Sequence, residues 1–173
     1  MRKQTLKFGS LAGVISVIGF SIWPVIMRLI GKDLDDIEAG EIIGYISLFL
    51  ALSMIFFGIR RIREQSGGSI SFKNAFLNGL SMAVVASVIY VVGWIIYYPN
   101  FIPDFADTYT QSQIDLLITE GLNPQETQEK IDALWEFNEN YKKPHIMAGY
   151  TFLEIFPLGV VVALISATIL RRR

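Results

Sequence analysis

The chain has 173 residues, of which 52% are hydrophobic and 13% aromatic, with a mean hydropathy of +0.44 and a formal net charge of −1. That apolar content exceeds what a single soluble domain of this size carries, so an ordinary water-solvated fold is excluded as the default. The absence of cysteine rules out disulfides and thiolate metal sites but leaves the redox compartment open.

The apolar residues are concentrated in four blocks, residues 9–30, 42–59, 75–98 and 146–170. A helix rises about 1.5 Å per residue and the hydrocarbon core of a bilayer is about 30 Å thick, so each block is long enough to cross, the second only just. The first block follows a basic stretch, Arg2, Lys3 and Lys7, as the core of a secretory signal would. It is several residues too long for that, and no A-x-A-like pair of small residues ends it, which predicts an uncleaved first span. Small residues recur at four-residue spacing: Gly9 and Gly13, followed by Ser16 and Gly19, in the first block; Ala75, Gly79, Ala83 and Ser87 in the third; Gly159, Ala163 and Ala167 in the fourth. Lipid gives helices no hydrophobic drive to associate, so such ladders mark close contact and predict an antiparallel bundle of four transmembrane helices.

The connections sort by charge. The first holds Lys32 with Asp33, Asp35, Asp36, Glu38 and Glu41, whereas the second holds Arg60, Arg61, Arg63 and Lys73. In the second, Gly67 and Gly68 free the backbone for a turn and Ser71 is placed to cap the third helix. The glycine pair has no preceding strand and no G-x-x-x-x-G-K-[ST] spacing, so a phosphate cradle is not supported. The N-terminus, the second connection and Arg171, Arg172 and Arg173 all fall on one face, and the acids on the other. By the positive-inside bias both termini are expected in the cytoplasm, with Trp94, Tyr97 and Tyr98 at the outer interface. The basic cluster reads as a topology determinant ahead of an anionic-lipid or nucleic-acid site, and no nucleic-acid partner is expected.

Residues 99–145 carry nine acids against three lysines and have a periodicity of their own. Ile114, Leu117 and Ile118, with Leu122, form one apolar stripe, and Ile131, Leu134 and Trp135 another, which predicts an extracytoplasmic amphipathic helical hairpin over about residues 104–143. Asn123, Pro124 and Glu126 supply the cap, first-turn proline and capping-box acid of its second helix, and Gly121 suits the end of the first. Of these, Ile114, Leu117, Ile118, Ile131, Leu134 and Trp135 are the candidate partner surface, for another envelope protein or a second copy of the chain; alternatively the hairpin caps the outer mouth of the bundle or lies on the bilayer surface. The acidic stretches "DLDD" and "DFADTY" lack the spacing of an EF-hand and read as solvated faces, so no metal is expected.

Glu154 lies in the fourth block, eight residues after Ile146 and so about 12 Å below its outer end. A charge at that depth costs roughly 2 kcal/mol or more unless it is paired, protonated or wetted. Arg28 is the basic residue at comparable depth, and Tyr45, Tyr90 and Trp94 are possible donors. The expected arrangement is a polar pocket in which Arg28 and Glu154 face each other, walled by Trp23, Trp94 and Tyr97. It could be a pair that fixes helix register, a ligand or proton site, or a carboxylate held by water. Pro157 and Pro24 each free a carbonyl and kink their helices. Catalysis has little support: the single histidine, His145, follows Pro144 with no H-E-x-x-H or G-x-S-x-G nearby, so neither an enzyme nor a cofactor is expected.

Gly58-Ile59-Arg60 with Arg63, Gly68, Ile70-Ser71-Phe72, Ala75-Phe76 and Gly79, then Tyr97-Tyr98 and Pro103-Asp104-Phe105, then Glu154, Pro157, Gly159, Ile165-Ser166-Ala167 and Leu170-Arg171 together resemble the domain of unknown function 4199 family, four-span bacterial inner-membrane proteins. The resemblance implies topology and brings no activity with it. The expected function is a non-enzymatic subunit or assembly scaffold that contacts partners through its outer helices. The alternative is a small transporter or channel using the pocket around Glu154.

Overall fold

The computed structural model describes residues 2–29, 37–119, 121 and 123–171, without the side chains of residues 2, 23, 26–28, 37–41 and 43. Among the described residues the chain is helical, with seven α-helices and no strand: α1 (Arg2–Leu29), α2 (Ile37–Leu52), α3 (Met54–Gln65), α4 (Phe72–Phe101), α5 (Phe105–Thr119), α6 (Pro124–Tyr141) and α7 (Pro144–Leu170). Four stretches, Lys3–Ile22, Gly44–Gln65, Phe72–Phe101 and Pro144–Leu170, are long and apolar enough to cross a membrane. Lys32, Asp33, Asp35 and Asp36 of the first connection lie outside the described residues, as do the side chains of Glu38 and Glu41, and Leu122, Arg172 and Arg173.

The second of these stretches is interrupted at Ser53, where α2 gives way to α3. The Ser53 hydroxyl donates to the Leu50 carbonyl at 2.6 Å, the acceptor that the Met54 N–H would use in an unbroken helix. Local bonds of this kind compete with the helical ladder and bend it. At the next connection the expected chemistry is present. Gly67 and Gly68 have φ of 79° and 86°, a conformation that side chains with a Cβ avoid, and the Asn74 N–H donates to Ser71 Oγ at 3.3 Å to start α4.

The chain divides into two compact units, Met1–Trp94 with Thr151–Arg173, and Ile95–Tyr150. The first unit is assembled from close helix contacts at the small-residue ladders. A Cβ added at Gly9 would lie 2.9 Å from the Met82 carbonyl oxygen of α4. At Gly79 it would lie 2.8 Å from Ala163 Cβ on α7 and 2.9 Å from Ile59 Cδ1 on α3, and at Gly159 2.8 Å from Ala83 Cβ. Around these contacts Leu52, Ile55, Ile59, Met82 and Ile155 are wholly buried. Facing outward on the same helices are Leu11, Val14 and Ile18, Phe49 and Leu50, Val88 and Val92, and Leu164 and Ile169, all exposed. A surface this apolar suits solvation by hydrocarbon.

Three contacts show which helix ends share a side of the first unit: Thr5 Oγ1 bonds Asn78 Oδ1 at 3.1 Å, Phe8 packs on Gly58, and Arg63 Nη1 donates to the Leu170 carbonyl at 3.4 Å. Lys3, Lys7, Arg60, Arg61, Arg63, Lys73 and Arg171 therefore gather at one end, with Glu64 the acid among them in the described residues.

Candidate functional site

In the second unit the sequence builds α6 from its first residue. Asn123 adopts an extended backbone (φ −67°, ψ 153°), its Oδ1 accepts from the Glu126 N–H at 2.9 Å and its Nδ2 donates to Glu126 Oε2 at 3.3 Å, with Pro124 in the first turn. Gly121, at φ 69°, follows the end of α5. With α6 so started, Ile131, Leu134, Asn138 and Tyr141, spaced three and four apart, are among its less exposed positions, half-buried except for the buried Asn138, which bonds to α5; on α5, Ala106, Thr110, Ile114 and Leu117 are buried.

Asn138 is the hinge of this packing. It is 1% exposed, and its amide donates to the Ala106 carbonyl at 3.1 Å, to Asp107 Oδ1 at 2.8 Å and to Thr110 Oγ1 at 3.0 Å, while its own Oδ1 is buried with no hydrogen bond among the described residues. Lys142, which caps the end of α6, reaches back to Asp107 Oδ1 at 2.9 Å and to Glu139 Oε1 at 3.1 Å. The hydrogen bond from Lys142, followed by that from Asn138, holds the Asp107 carboxyl below the usual carboxylate range. The same bond to Asp107, then the one to Glu139, raises the Lys142 ammonium above its ordinary value. Tyr141 meets Tyr98 edge to face at 6.2 Å, and Phe137 meets Tyr150 likewise at 5.1 Å, so aromatic rings close one end of the helix pair.

The six residues expected to form a partner surface are divided by this packing. Ile114 and Leu117 are buried within the unit, and Ile131 and Leu134 are half-buried. Ile118 and Trp135 stay outside, 59% and 39% exposed, beside two residues that the sequence reading passed over, Leu116 (59%) and Phe137 (43%). Sequence reasoning also missed Thr110 and Asn138, because each is polar on an otherwise apolar face. Their spacing from Ile114 and from Ile131 and Leu134 is the signal that could have found them.

The polar positions expected around Glu154 are distributed over both units. In the first unit, Tyr90 is buried and Trp94 half-buried, and Phe20 joins them, edge to face with Tyr90 at 5.4 Å and with Trp94 at 5.2 Å. Phe20 was not anticipated, although it lies one residue beyond the glycine ladder of the first block. Tyr45 is 55% exposed, and Glu154 is exposed on α7 next to Leu153 at 66%. The side chains of Arg28 and Trp23 lie outside the described residues. Tyr97 belongs to the second unit, where it stacks on Phe101 at 4.9 Å.

Comparison with known proteins gives one result that covers almost the entire chain: the model of the family described as "Protein of unknown function (DUF4199)" matches residues 7–172. No curated protein and no solved structure matches.

Proposed function

The chain belongs to the DUF4199 family, and from that premise we propose that it is a non-enzymatic subunit or assembly scaffold of the bacterial inner membrane that docks a partner protein on the outward face of α5 and α6. In this reading the four apolar stretches form an antiparallel bundle with both termini cytoplasmic, and α5 and α6 form an extracytoplasmic hairpin. Two features support the arrangement. The pairs Gly79–Ala163 and Ala83–Gly159 run in opposite directions along α4 and α7, and the basic residues collect at one end of the first unit, as the positive-inside bias requires of a cytoplasmic face. A reporter fused after Arg173 that is active only outside the cytoplasm would overturn the orientation.

One observation carries the docking role. The helix pair fills its own interior with Ile114, Leu117 and the Asn138 network, yet keeps Leu116, Ile118 and Trp135 exposed outside the apolar stretches. Large apolar side chains that the fold does not need are the usual material of a contact surface, with tryptophan among the residues enriched at binding hot spots. The test replaces Ile118 and Trp135 together with Asp. Expected is loss of a partner that co-purifies with the parent chain in mild detergent, with thermal unfolding in detergent unchanged; retention of the same partner by the variant defeats the reading.

A second reading, a small transporter or channel, is favoured by Glu154, the single Asp, Glu, Lys or Arg in the 27 residues of α7. A carboxylate within such a helix marks a functional position by default. Its test is flux through reconstituted vesicles, which Glu154→Gln should abolish.

A further inference from the structure

We infer that a groove at the basic end of the first unit, lined by Phe8, Met54, Phe57, Arg60, Arg61 and Glu64, binds an anionic phospholipid, with its phosphate on the two guanidinium groups and an acyl chain along the apolar floor. The surface is separate from the α5–α6 face and independent of any docked protein.

The groove is open and has a volume of about 460 Å³. Its lining changes character along α3. Met54 and Phe57 come first; Arg60 and Arg61 stand one helical turn later, about 5 Å further along the axis, and Glu64 one turn beyond them. Phe8 completes the floor from α1, brought there because Gly58 lets the two helices approach until a Cβ would lie 2.9 Å from Phe8 Cβ. An apolar floor that turns cationic within one turn, at the last turns of a stretch able to cross a membrane (Gly44–Gln65), matches the step from hydrocarbon to headgroup.

The charges at the rim are held in a form that a phosphate can displace. Arg60 Nε and Arg61 Nη1 each lie 3.2 Å from a Glu64 oxygen, and all three side chains are about half exposed, at 55%, 56% and 42%. Exposed ion pairs of this kind contribute little, and each guanidinium keeps further N–H donors for a second acceptor. Guanidinium groups match phosphate oxygens in planar, two-bond geometry. The surroundings add to the attraction, because Lys3, Lys7, Arg63, Lys73 and Arg171 stand at the same end, with Glu64 the acid among them in the described residues. A zwitterionic lipid brings its own cation to this excess of positive charge and gains less.

The experiment uses the full chain, purified and stripped of lipid in detergent, and compares retention of phosphatidylglycerol with that of phosphatidylcholine of the same acyl chains by native mass spectrometry. The parent is expected to hold phosphatidylglycerol in clear preference. Arg60→Gln and Arg61→Gln should each reduce that preference by about fivefold, as expected for one basic residue near an anionic surface. Glu64→Gln, which frees both guanidinium groups, should raise it. Glycerol phosphate without acyl chains should fail to compete at concentrations where the lipid saturates. Equal retention of the two lipids overturns the inference, as does effective competition by glycerol phosphate, which would make the groove a free-anion site. If the arginine variants do not fold, Glu64→Gln decides the matter alone: a rise supports lipid binding and no rise defeats it.

Discussion

The two units of the chain hold their helices together by different means. In the first, buried hydroxyls bond backward along their own helix, Ser16 to the Ala12 carbonyl at 2.9 Å and Ser87 to the Ala83 carbonyl at 2.8 Å, and neighbouring helices meet at glycine and alanine. Side-chain bonds between its helices, Thr5 to Asn78 and Arg63 to the Leu170 carbonyl, stand at its basic end; in the second unit the buried interior itself is bridged, Asn138 to α5, with Lys142 to Asp107 beside it. The difference follows from the solvent each unit suits. Where the outer surface is apolar and lipid competes for every contact, backbones must come close enough for dispersion to accumulate. Where the helices are short and largely hydrophilic, caps and bridging hydrogen bonds supply what a small apolar interior cannot.

The comparison breaks most sharply at a ladder glycine. Gly79→Leu puts a branched side chain where Ala163 Cβ and Ile59 Cδ1 already lie within 3 Å of a methyl position. Overpacking of this kind costs about 1–3 kcal/mol, and the upper end is expected here because the neighbours come from two different helices. Thermal unfolding in detergent measures it. Gly44→Ala is the control, since among the described residues no atom lies within 4 Å of a Cβ there, and a helical Gly→Ala change should be neutral or stabilising by up to about 1 kcal/mol. Equal losses at both positions would refute close packing at the ladder.

The second unit should break at Asn138. Asn138→Ala leaves the Ala106 carbonyl and Thr110 hydroxyl without their donor, at a cost of about 1–3 kcal/mol. Amide hydrogen exchange reads this as faster exchange across α5 and α6, with the helices of the first unit unchanged. Faster exchange throughout the chain would show that the two units are not separable in stability.

What was legible in the sequence tracks the same division. The four apolar stretches could be read because their solvent imposes length and composition, and the ladder at Gly79, Ala83, Gly159 and Ala163 because small size has few other uses at that spacing. The start of α6 was equally plain, since Asn123, Pro124 and Glu126 act within one turn. The interruption at Ser53 was not legible, as it depends on which carbonyl a single hydroxyl chooses. Nor were Asn138 and Thr110, whose polarity argues for the surface until the partner helix supplies acceptors. The surroundings of Glu154 call for contacts far apart in sequence, and spacing along one helix does not state them; the same holds for the groove at Phe8 and Arg61, which two helices build together.

A smaller effect is expected from the cap. Asn123→Ala removes the acceptor for the Glu126 N–H and should cost about 1 kcal/mol, visible as fraying of the first turn of α6 in hydrogen exchange. Pro124 keeps the first turn preset, so the loss should stay local, and propagation to Asn138 would contradict the view of caps as independent contributors.

The smallest effect is the most specific to the second unit, because it depends on pH. Asp107 is held below its ordinary value by Lys142, so the stabilisation it provides is present above about pH 4, the ordinary carboxylate range, and is lost as pH falls through the depressed value. Lys142 is raised by Asp107, so its contribution is present below about pH 10 and is lost as pH rises through the elevated value. Exchange protection of α5 and α6 should therefore be flat between those limits and fall on both sides. With side chains 35% and 47% exposed, the pair is screened by water, and Asp107→Asn should cost less than about 1 kcal/mol at neutral pH. The variant should lose the acid limb from Asp107 and keep a basic limb, because Lys142 still reaches Glu139 at 3.1 Å. Among the described residues the buried side chains of α1 and α4 carry no charge, so exchange in those two helices should be indifferent to the same titration; a matching acid limb in α1 and α4 would mean that the two units do not respond to pH separately.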